Sequence, residues 1–256
     1  MTRWLRTLGA GFMARVGRLG RTGVFFGQTL LYCLTPPIKV ERVLRQVWFI
    51  GWKSMLVIAL TGTFTGMVLS LQGFPTLRRV GSEALLGPLV ALALIRELGP
   101  VLTALMVTGR AGSSLAAELG MMRTNEQIDA LELLGLNPLR YLVVPNLLAA
   151  LLALPVLTVM FDVIGILGGY LVGVRLLGLN EGTYFGEMSN YVETKDVVGG
   201  IYKALSFGVL IMWVCCYKGY YSRSGAEGVS AATTQAVVTA SVLILVWDYF
   251  VTSLVF

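Results

Sequence analysis

Residues 96–145 read RELGPVLTALMVTGRAGSSLAAELGMMRTNEQIDALELLGLNPLRYLVVP, and the rest of the chain is organised around this stretch. It begins inside one hydrophobic segment and ends where another begins, and a polar patch lies between the two. Arg96 and Glu97 fall near the middle of the first segment. A charged side chain at that depth of a bilayer costs about 2.5–3.5 kcal/mol, so it usually faces a cavity or a partner. The stretch therefore predicts functional charges inside a membrane and a polar segment presented at its surface.

The whole chain is apolar enough for a protein that crosses a membrane several times. Of its 256 residues, 56% are hydrophobic and 13% are charged, and its mean hydropathy is +0.76. This balance is typical of a polytopic membrane protein and not of a soluble domain. The net charge of +6 does not indicate a nucleic-acid-binding protein, because most basic residues lie at the ends of hydrophobic segments.

The sequence lacks the residues of the common catalytic and metal sites. It has no histidine, which is the commonest metal ligand and the usual general base. It also has no G-x-x-x-x-G-K-[ST] motif, so it cannot bind a nucleotide with a P-loop. We therefore expect no catalytic site and no metal site in this chain. Acid–base chemistry at Glu97 or Asp162 is the enzymatic alternative that the sequence leaves open.

Hydrophobic runs predict an all-α fold with five transmembrane helices. The predicted spans are about 49–71, 85–108, 141–174, 197–217 and 232–256. Gln72 and Gly73 are expected to end the first span, since Pro75 prevents easy continuation. Pro100 is expected to kink the second span, and Pro145 and Pro155 to break or tilt the long third span. Small residues recur at every fourth position in the first and third spans: Gly62, Gly66 and Ser70, and Gly165, Gly169 and Gly173. These stripes predict close helix packing, within one chain or between two.

Residues 1–46 form a basic region, and residues 47–256 form the transmembrane domain. The apolar run Val24–Leu34 is too short to cross a bilayer, and Pro36-Pro37 follows it at once. The run fits an interfacial helix better than a signal peptide, because no small-residue cleavage site follows it. With five spans, thirteen Lys and Arg residues fall in segments on the same side of the membrane as the N-terminus, and four fall in segments on the opposite side. The positive-inside rule therefore predicts a cytoplasmic N-terminus and a C-terminus on the opposite face.

The polar patch after the second span predicts a short cytoplasmic helix. Thr124 and Gln127 have the spacing of a capping box, and Gly135 suits a C-terminal cap. These signals predict a helix of about three turns over about 125–134. Its apolar side carries Ile128, Leu131 and Leu134, and its other side carries Glu126, Asp129 and Glu132. The helix is either an ordinary surface connector or an element that docks another protein.

The charges inside the spans have more than one interpretation. Arg96 and Glu97 either form structural ion pairs with neighbouring helices or line a substrate cavity. Lys203 could pair with Asp196, seven residues earlier, or with a charge on another helix. Asp248 lies near the end of the last span, and the sequence names no partner for Asp162 in the third.

Several motifs in this sequence are similar to those of one known family. They are GTFTGMVLSLQG at 62–73, RELGP at 96–100, GRAGSSLAAELGMMRTNEQIDALELLGLNPLRYL at 109–142 and GVSAATTQAVVTASVLILVWDYFVTSLVF at 228–256. Together they resemble the MlaE/YrbE permease family, from the first span to the C-terminus. The motif at 109–142 is long and specific, whereas the basic N-terminal region matches only loosely.

The resemblance implies a permease subunit of an ABC transporter in the inner membrane of a Gram-negative bacterium. Such a transporter moves phospholipids between the inner and outer membranes and maintains outer-membrane lipid asymmetry. Family members are homodimers, with an N-terminal interfacial helix and five spans in each subunit. Their implied partners are a separate ATPase subunit that binds ATP and Mg, a STAS-domain subunit and a periplasmic hexamer of MCE-domain protein. This chain itself would bind no cofactor, and its C-terminus would be periplasmic.

The resemblance also assigns roles to residues. The helix at about 125–134 would be the coupling helix, which meets the ATPase through Glu126, Ile128, Asp129, Leu131 and Glu132. The lipid would be held by Leu69, Gln72, Thr76, Leu77, Val80, Arg96 and Glu97. Val80 stands where the family often has an aromatic residue. Asp196 and Lys203 match a charged pair, Asp248 matches an acidic position, and Arg110 would tie the second span to the coupling segment.

An ATP-independent secondary transporter or channel is the alternative function. That class often shows an internal inverted repeat, and no such repeat is visible across these five spans. Dependence on a separate ATPase distinguishes the two readings.

Overall fold

The computed structural model describes residues 2–35 and 39–255, and the described part of the chain is built from helices. Short π-helical turns interrupt several of the long helices, at 48–52, 94–98, 108–112, 139–143 and 171–176. The α-helices are α1 (Thr2–Leu34), α2 (Val40–Val47), α3 (Lys53–Arg79), α4 (Leu86–Ala93), α5 (Gly99–Val107), α6 (Ser113–Thr124), α7 (Gln127–Leu133), α8 (Val144–Tyr170), α9 (Glu181–Tyr191), α10 (Thr194–Tyr220) and α11 (Ala226–Val255).

The prediction of an all-α protein with five spans is confirmed. The helical stretches that are long and apolar enough to cross a membrane are Val40–Arg79, Glu83–Thr124, Leu139–Leu176, Thr194–Tyr220 and Ala226–Leu254. Most of them extend beyond the predicted apolar runs, because the helices continue into the polar residues that flank each run. The protein is therefore a multi-pass membrane protein.

The third span packs against three others, because α8 contacts α3, α5 and α10. Its contact with α3 is close because both helices present glycine. A Cβ atom on Gly66 would lie 1.8 Å from the carbonyl oxygen of Gly165. Ser70 adds a hydrogen bond by donating its hydroxyl to the carbonyl of Gly169, at 2.9 Å. The two small-residue stripes thus pack against each other within one chain.

The prolines disturb the helices less than expected. The expectation that the first span ends at Gln72 and Gly73, before Pro75, is wrong, because α3 continues to Arg79 with Pro75 inside it. This proline removes only one backbone donor, and it lies in the exposed last part of the helix, where water can replace the lost bond. Pro155 likewise lies within a continuous α8, and Pro145 lies in the first turn of α8, where a proline is tolerated.

The N-terminal helix is longer than the apolar run that predicted it. Val24–Leu34 is the last part of α1, and Pro36-Pro37 lies outside the described residues. Phe25 is buried and packs edge-on against Tyr217, with ring centroids 5.5 Å apart. Trp213 also donates its indole N–H to the carbonyl of Thr22, at 3.2 Å. These contacts attach α1 to the side of α10.

The polar patch forms a shorter helix than predicted. The capping box is wrong, because Thr124 ends α6 and donates its hydroxyl back to the carbonyl of Gly120, at 3.0 Å. Glu126 has φ 56°, and this left-handed residue separates α6 from the two turns of α7. Gly135 does provide the predicted cap, with φ 73° and its N–H donated to the carbonyl of Glu132.

The polar stretch after the third span contains a helix that sequence reasoning missed. Asn180 caps α9 by accepting the N–H of Thr183, at 3.3 Å. Tyr184 is fully buried, and its hydroxyl donates to the carbonyl of Ile166, at 3.2 Å. This burial raises the pKa of Tyr184 above its ordinary value. The buried Tyr184 side chain therefore attaches α9 to the end of the third span.

Candidate functional site

Five charged side chains from three spans meet inside the bundle, and we call this group the charge cluster. Its members are Arg96 and Glu97 on the second span, Asp196 and Lys203 on α10, and Asp248 on α11. The hydroxyl of Thr252, also on α11, lies 3.3 Å from a carboxylate oxygen of Glu97. The cluster thus ties together the second, fourth and fifth spans.

Lys203 occupies the centre of the charge cluster and is completely buried. Its Nζ atom lies 2.7 Å from Oε2 of Glu97, 3.0 Å from Oδ1 of Asp248 and 2.8 Å from the carbonyl oxygen of Arg96. An ammonium group has three donors, and a buried one is tolerated when those donors are satisfied and its charge is paired. Glu97 and the carbonyl of Arg96 accept hydrogen bonds from this ammonium group, and Asp248 pairs with its charge, so its burial is accounted for.

Pro100 explains why the carbonyl of Arg96 can accept from Lys203. In a regular α-helix this carbonyl would accept the N–H four residues later, but proline has none. The backbone there widens into the π-helical turn Leu94–Leu98, and α5 begins with Pro100 in its first turn. Gly200 permits the close approach of α10, because a Cβ on it would lie 2.6 Å from the carbonyl of Ile95. In place of the predicted kink at Pro100, the structure thus has a local π-helical turn, and the freed carbonyl of Arg96 accepts a hydrogen bond from Lys203.

Asp196 pairs with Arg96 and not with Lys203. The Nε and Nη2 atoms of Arg96 each lie 2.8 Å from Oδ1 of Asp196. The other carboxylate oxygen accepts the N–H of Glu193, at 3.0 Å, and so caps α10. Of the two alternatives for Lys203, the structure shows charges on other helices, Glu97 and Asp248. The alternative pair with Asp196 does not form, because seven residues of helix separate the two by about 10 Å along the axis.

The charge cluster has a buried base and a half-exposed edge. The side chains of Lys203 and Asp196 are 0% and 2% exposed, whereas those of Arg96 and Glu97 are 41% and 42% exposed. Two cations and three carboxylates make up the group. Arg96 and Glu97 at the exposed edge can therefore bind a polar or charged group, while the buried Lys203 and Asp196 keep them in position.

The other predicted lipid-binding residues lie on the last turns of the first span. Leu69 and Leu77 pack against the hydrophobic core of the bundle. Gln72, Thr76 and Val80 are exposed and can face a ligand or a second chain. The described contacts of Arg96 and Glu97 run instead to α10 and α11.

Helix α7 turns part of its acidic side toward its own chain. Arg123 forms an ion pair with Asp129, at 2.5 Å, and Glu132 accepts a hydrogen bond of 3.4 Å from the hydroxyl of Tyr220. Ile128 is fully buried, and Leu131 is half-buried. Leu133 and Leu134 are instead 90% and 74% exposed. The outer surface of α7 is thus more apolar than its sequence pattern predicted.

Arg110 is a structural residue, but its partners differ from those expected. Its Nε atom donates to the hydroxyl of Ser54, at 2.7 Å, and its Nη2 atom donates to the carbonyls of Phe49 and Ile50. The guanidinium also lies over the ring of Phe49. Arg110 therefore ties the second span to the start of the first, and the predicted link to the coupling segment is wrong.

Asp162 is a buried carboxyl group whose Oδ1 atom has no hydrogen-bond partner within the described part of the chain. It lies directly against Gly99, on which a Cβ would come within 1.9 Å of that oxygen. Sequence reasoning named no partner for it, and the structure places it on the α8 side of the π-helical turn. Asp162 therefore lies beside the charge cluster without joining it.

Sequence comparisons find relatives of this chain among permease proteins. Residues 43–254 match the family described as Permease MlaE. The intermembrane phospholipid transport system permease protein MlaE of Haemophilus influenzae is 43% identical over 241 residues, which cover 93% of this chain and 92% of that protein. A probable ABC transporter permease protein of Rickettsia bellii is 44% identical over 238 residues, with 93% and 92% covered.

A more distant relative comes from a plant. The TRIGALACTOSYLDIACYLGLYCEROL 1 protein of Arabidopsis thaliana, which is chloroplastic, is 36% identical over 233 residues. These residues cover 91% of this chain and 67% of the plant protein. The matched family region begins near the start of the first span and includes all of the charge cluster, so this chain belongs to the MlaE permease family.

Proposed function

We propose that this chain is the membrane-spanning subunit of an ABC transporter that moves phospholipids between an inner and an outer membrane. The observation that carries the proposal is the 43% identity to the Haemophilus influenzae permease, which extends over 93% of this chain. The charge cluster supports it, because a half-exposed polar edge inside an apolar bundle suits a molecule with a charged headgroup and acyl chains. The transporter would maintain the lipid asymmetry of the outer membrane.

The energy for transport would come from a separate ATPase subunit that binds ATP and Mg. The sequence of this chain has no P-loop, which supports that division of labour. Helix α7 would dock on the ATPase through the exposed Leu133 and Leu134 at its C-terminal end and the exposed Glu126 at its N-terminal end. Ile128, Asp129, Leu131 and Glu132 would hold the helix in place. A hydrolysis-driven movement of α7 would reach the charge cluster through α6 and α5.

The complete transporter would contain two copies of this chain. A STAS-domain subunit and a periplasmic hexamer of MCE-domain protein would complete it, in the inner membrane of a Gram-negative bacterium. The N-terminus would be cytoplasmic, as the distribution of basic residues favours. The lipid would lie near Arg96 and Glu97 and along Leu69, Gln72, Thr76, Leu77 and Val80. The chain itself would hold no catalytic group, metal or cofactor.

Gentle purification of the tagged chain from its own membranes tests this proposal. Mass spectrometry of the purified material should identify a P-loop ATPase, an MCE-domain protein and phospholipid in stable amounts. A homo-oligomer that carries no ATPase in several mild detergents would contradict the proposal and favour the ATP-independent transporter or channel.

A further inference from the structure

A cavity of about 700 Å³ opens between α2, α6 and the start of α8, at the end of the bundle that carries α7. We call it the α2–α6–α8 cavity. Its volume lies within the range of about 300–1,000 Å³ that is common for small-molecule sites. It is separate from the charge cluster, and none of the residues that line it belongs to that cluster.

Two amide oxygens beside the α2–α6–α8 cavity lack hydrogen-bond donors. Asn146 is only 4% exposed and donates its Nδ2 to the carbonyl of Leu142, at 2.8 Å, which leaves its Oδ1 atom without a partner. The Oε1 atom of Gln46 is also buried and unpartnered. An unsatisfied buried acceptor is costly and rare. Both oxygens have almost no accessible surface, so they lie behind the cavity wall and do not face a ligand in the cavity.

The charges that line the α2–α6–α8 cavity have both signs. Arg45 and Lys39 are exposed cations, and Arg45 pairs with the exposed carboxylate of Glu41, at 3.4 Å. Glu118 contributes a second carboxylate, from α6. Arg42 is already engaged, because its guanidinium stacks on the ring of Tyr141, at 3.3 Å from the centroid, and donates to the hydroxyl of that residue. A matching ligand therefore carries an anionic group and an ammonium group within one small headgroup.

An apolar groove lies farther along the same segments. It has a volume of about 410 Å³ and runs between the α2–α3 junction and α8. Trp48 and Trp52 stack at its side, with ring centroids 5.1 Å apart, and both are more than half exposed. Exposed tryptophan at a span end is typical of the membrane interface. The groove suits an acyl chain whose headgroup lies in the α2–α6–α8 cavity.

We propose that the α2–α6–α8 cavity is a second lipid site, which binds the headgroup of a zwitterionic aminophospholipid. The lipid phosphate lies at Arg45 and Lys39. Its ammonium group donates to the carboxylate of Glu118, which is exposed and lines the cavity. This inference goes beyond the transport function, since binding at this site requires neither ATP nor the charge cluster.

Lipid titration of the full-length protein in mild detergent tests the inference. The probes are short-chain phosphatidylethanolamine, short-chain phosphatidylglycerol and free phosphoethanolamine. The wild-type protein should bind phosphatidylethanolamine about five-fold more tightly than phosphatidylglycerol, which is the size of one exposed charge contact. Glu118→Gln should remove this preference without changing the affinity for phosphatidylglycerol. Arg45→Gln should weaken the binding of both lipids.

Variants elsewhere separate this site from other effects. Glu187→Gln and Arg79→Gln change one charge each, away from the cavity, and should leave both affinities unchanged. Glu97→Gln should keep the preference for phosphatidylethanolamine even if transport is lost, so the inference and the proposed function can fail independently. Equal weakening of both lipids by Glu118→Gln, or no effect, would overturn the inference. Binding of free phosphoethanolamine as tight as that of the lipid would also overturn it.

Discussion

At the level of single residues, Lys203 holds the charge cluster together. Its ammonium group contacts a carboxylate on the second span, a carboxylate on the last span and the carbonyl that Pro100 leaves free. Removing one partner of a buried ion pair costs far more than replacing the whole pair, because an uncompensated charge remains. The cluster should therefore respond very differently to single and combined neutralisation.

We predict that Lys203→Met destabilises the protein by about 3–5 kcal/mol, because Glu97 and Asp248 lose their shared cation. Addition of Glu97→Gln and Asp248→Asn to this variant should restore part of the lost stability. Thermal unfolding in detergent measures both effects, and Lys195→Met on the exposed start of α10 is the control. A triple variant less stable than Lys203→Met would contradict this description of the cluster.

At the level of helices, the contact between α3 and α8 depends on backbone atoms that lie close together. We predict that Gly66→Ala destabilises the protein by about 1–3 kcal/mol, because the added methyl group would meet the carbonyl of Gly165. Gly186→Ala on α9 has open space and should be neutral or stabilising by up to about 1 kcal/mol. Thermal unfolding of the two variants compares them directly. Equal stability of both would show that the helices do not pack as described.

Helix α7 should transmit the action of the ATPase. We predict that the double variant Leu133→Ser, Leu134→Ser stays folded, because both side chains are exposed. The double variant should uncouple ATP hydrolysis from lipid transfer. The measurement is the number of lipids moved per ATP hydrolysed by the reconstituted complex. Leu176→Ser, at a leucine that is 70% exposed at the end of the third span, is the control and should leave that ratio unchanged. An unchanged ratio in the double variant would exclude α7 as the coupling element.

The sequence predicts the membrane spans well, because hydropathy determines them. It predicts helix boundaries and π-helical turns poorly, because these depend on tertiary contacts. All five spans follow from apolar runs, since the bilayer requires such runs. The boundary at Thr124 was mispredicted, because a capping pattern cannot show that α6 continues to that residue. The π-helical turn at Leu94–Leu98 was not predicted either, and its lysine partner is more than one hundred residues away.

At the level of the whole molecule, the candidate site combines residues that the sequence named with contacts that it could not assign. Arg96, Glu97, Lys203 and Asp248 were expected as intramembrane charges, because each interrupts an apolar run. Their pairing required the arrangement of three spans in space. The roles of the first-span residues and of α7 in transport stay predictions, since they depend on lipid and on partner chains.

The most direct test of the proposed function is ATP-dependent lipid transfer in reconstituted membranes. The chain, its co-purified ATPase and its other partners would be placed in vesicles with fluorescent phospholipid, and transfer to acceptor vesicles would be followed over time. We predict transfer that requires ATP and stops when the ATPase carries a substitution in its P-loop lysine. Transfer at the same rate without ATP, or with that inactive ATPase, would contradict the proposal that this chain is an ABC-type lipid permease.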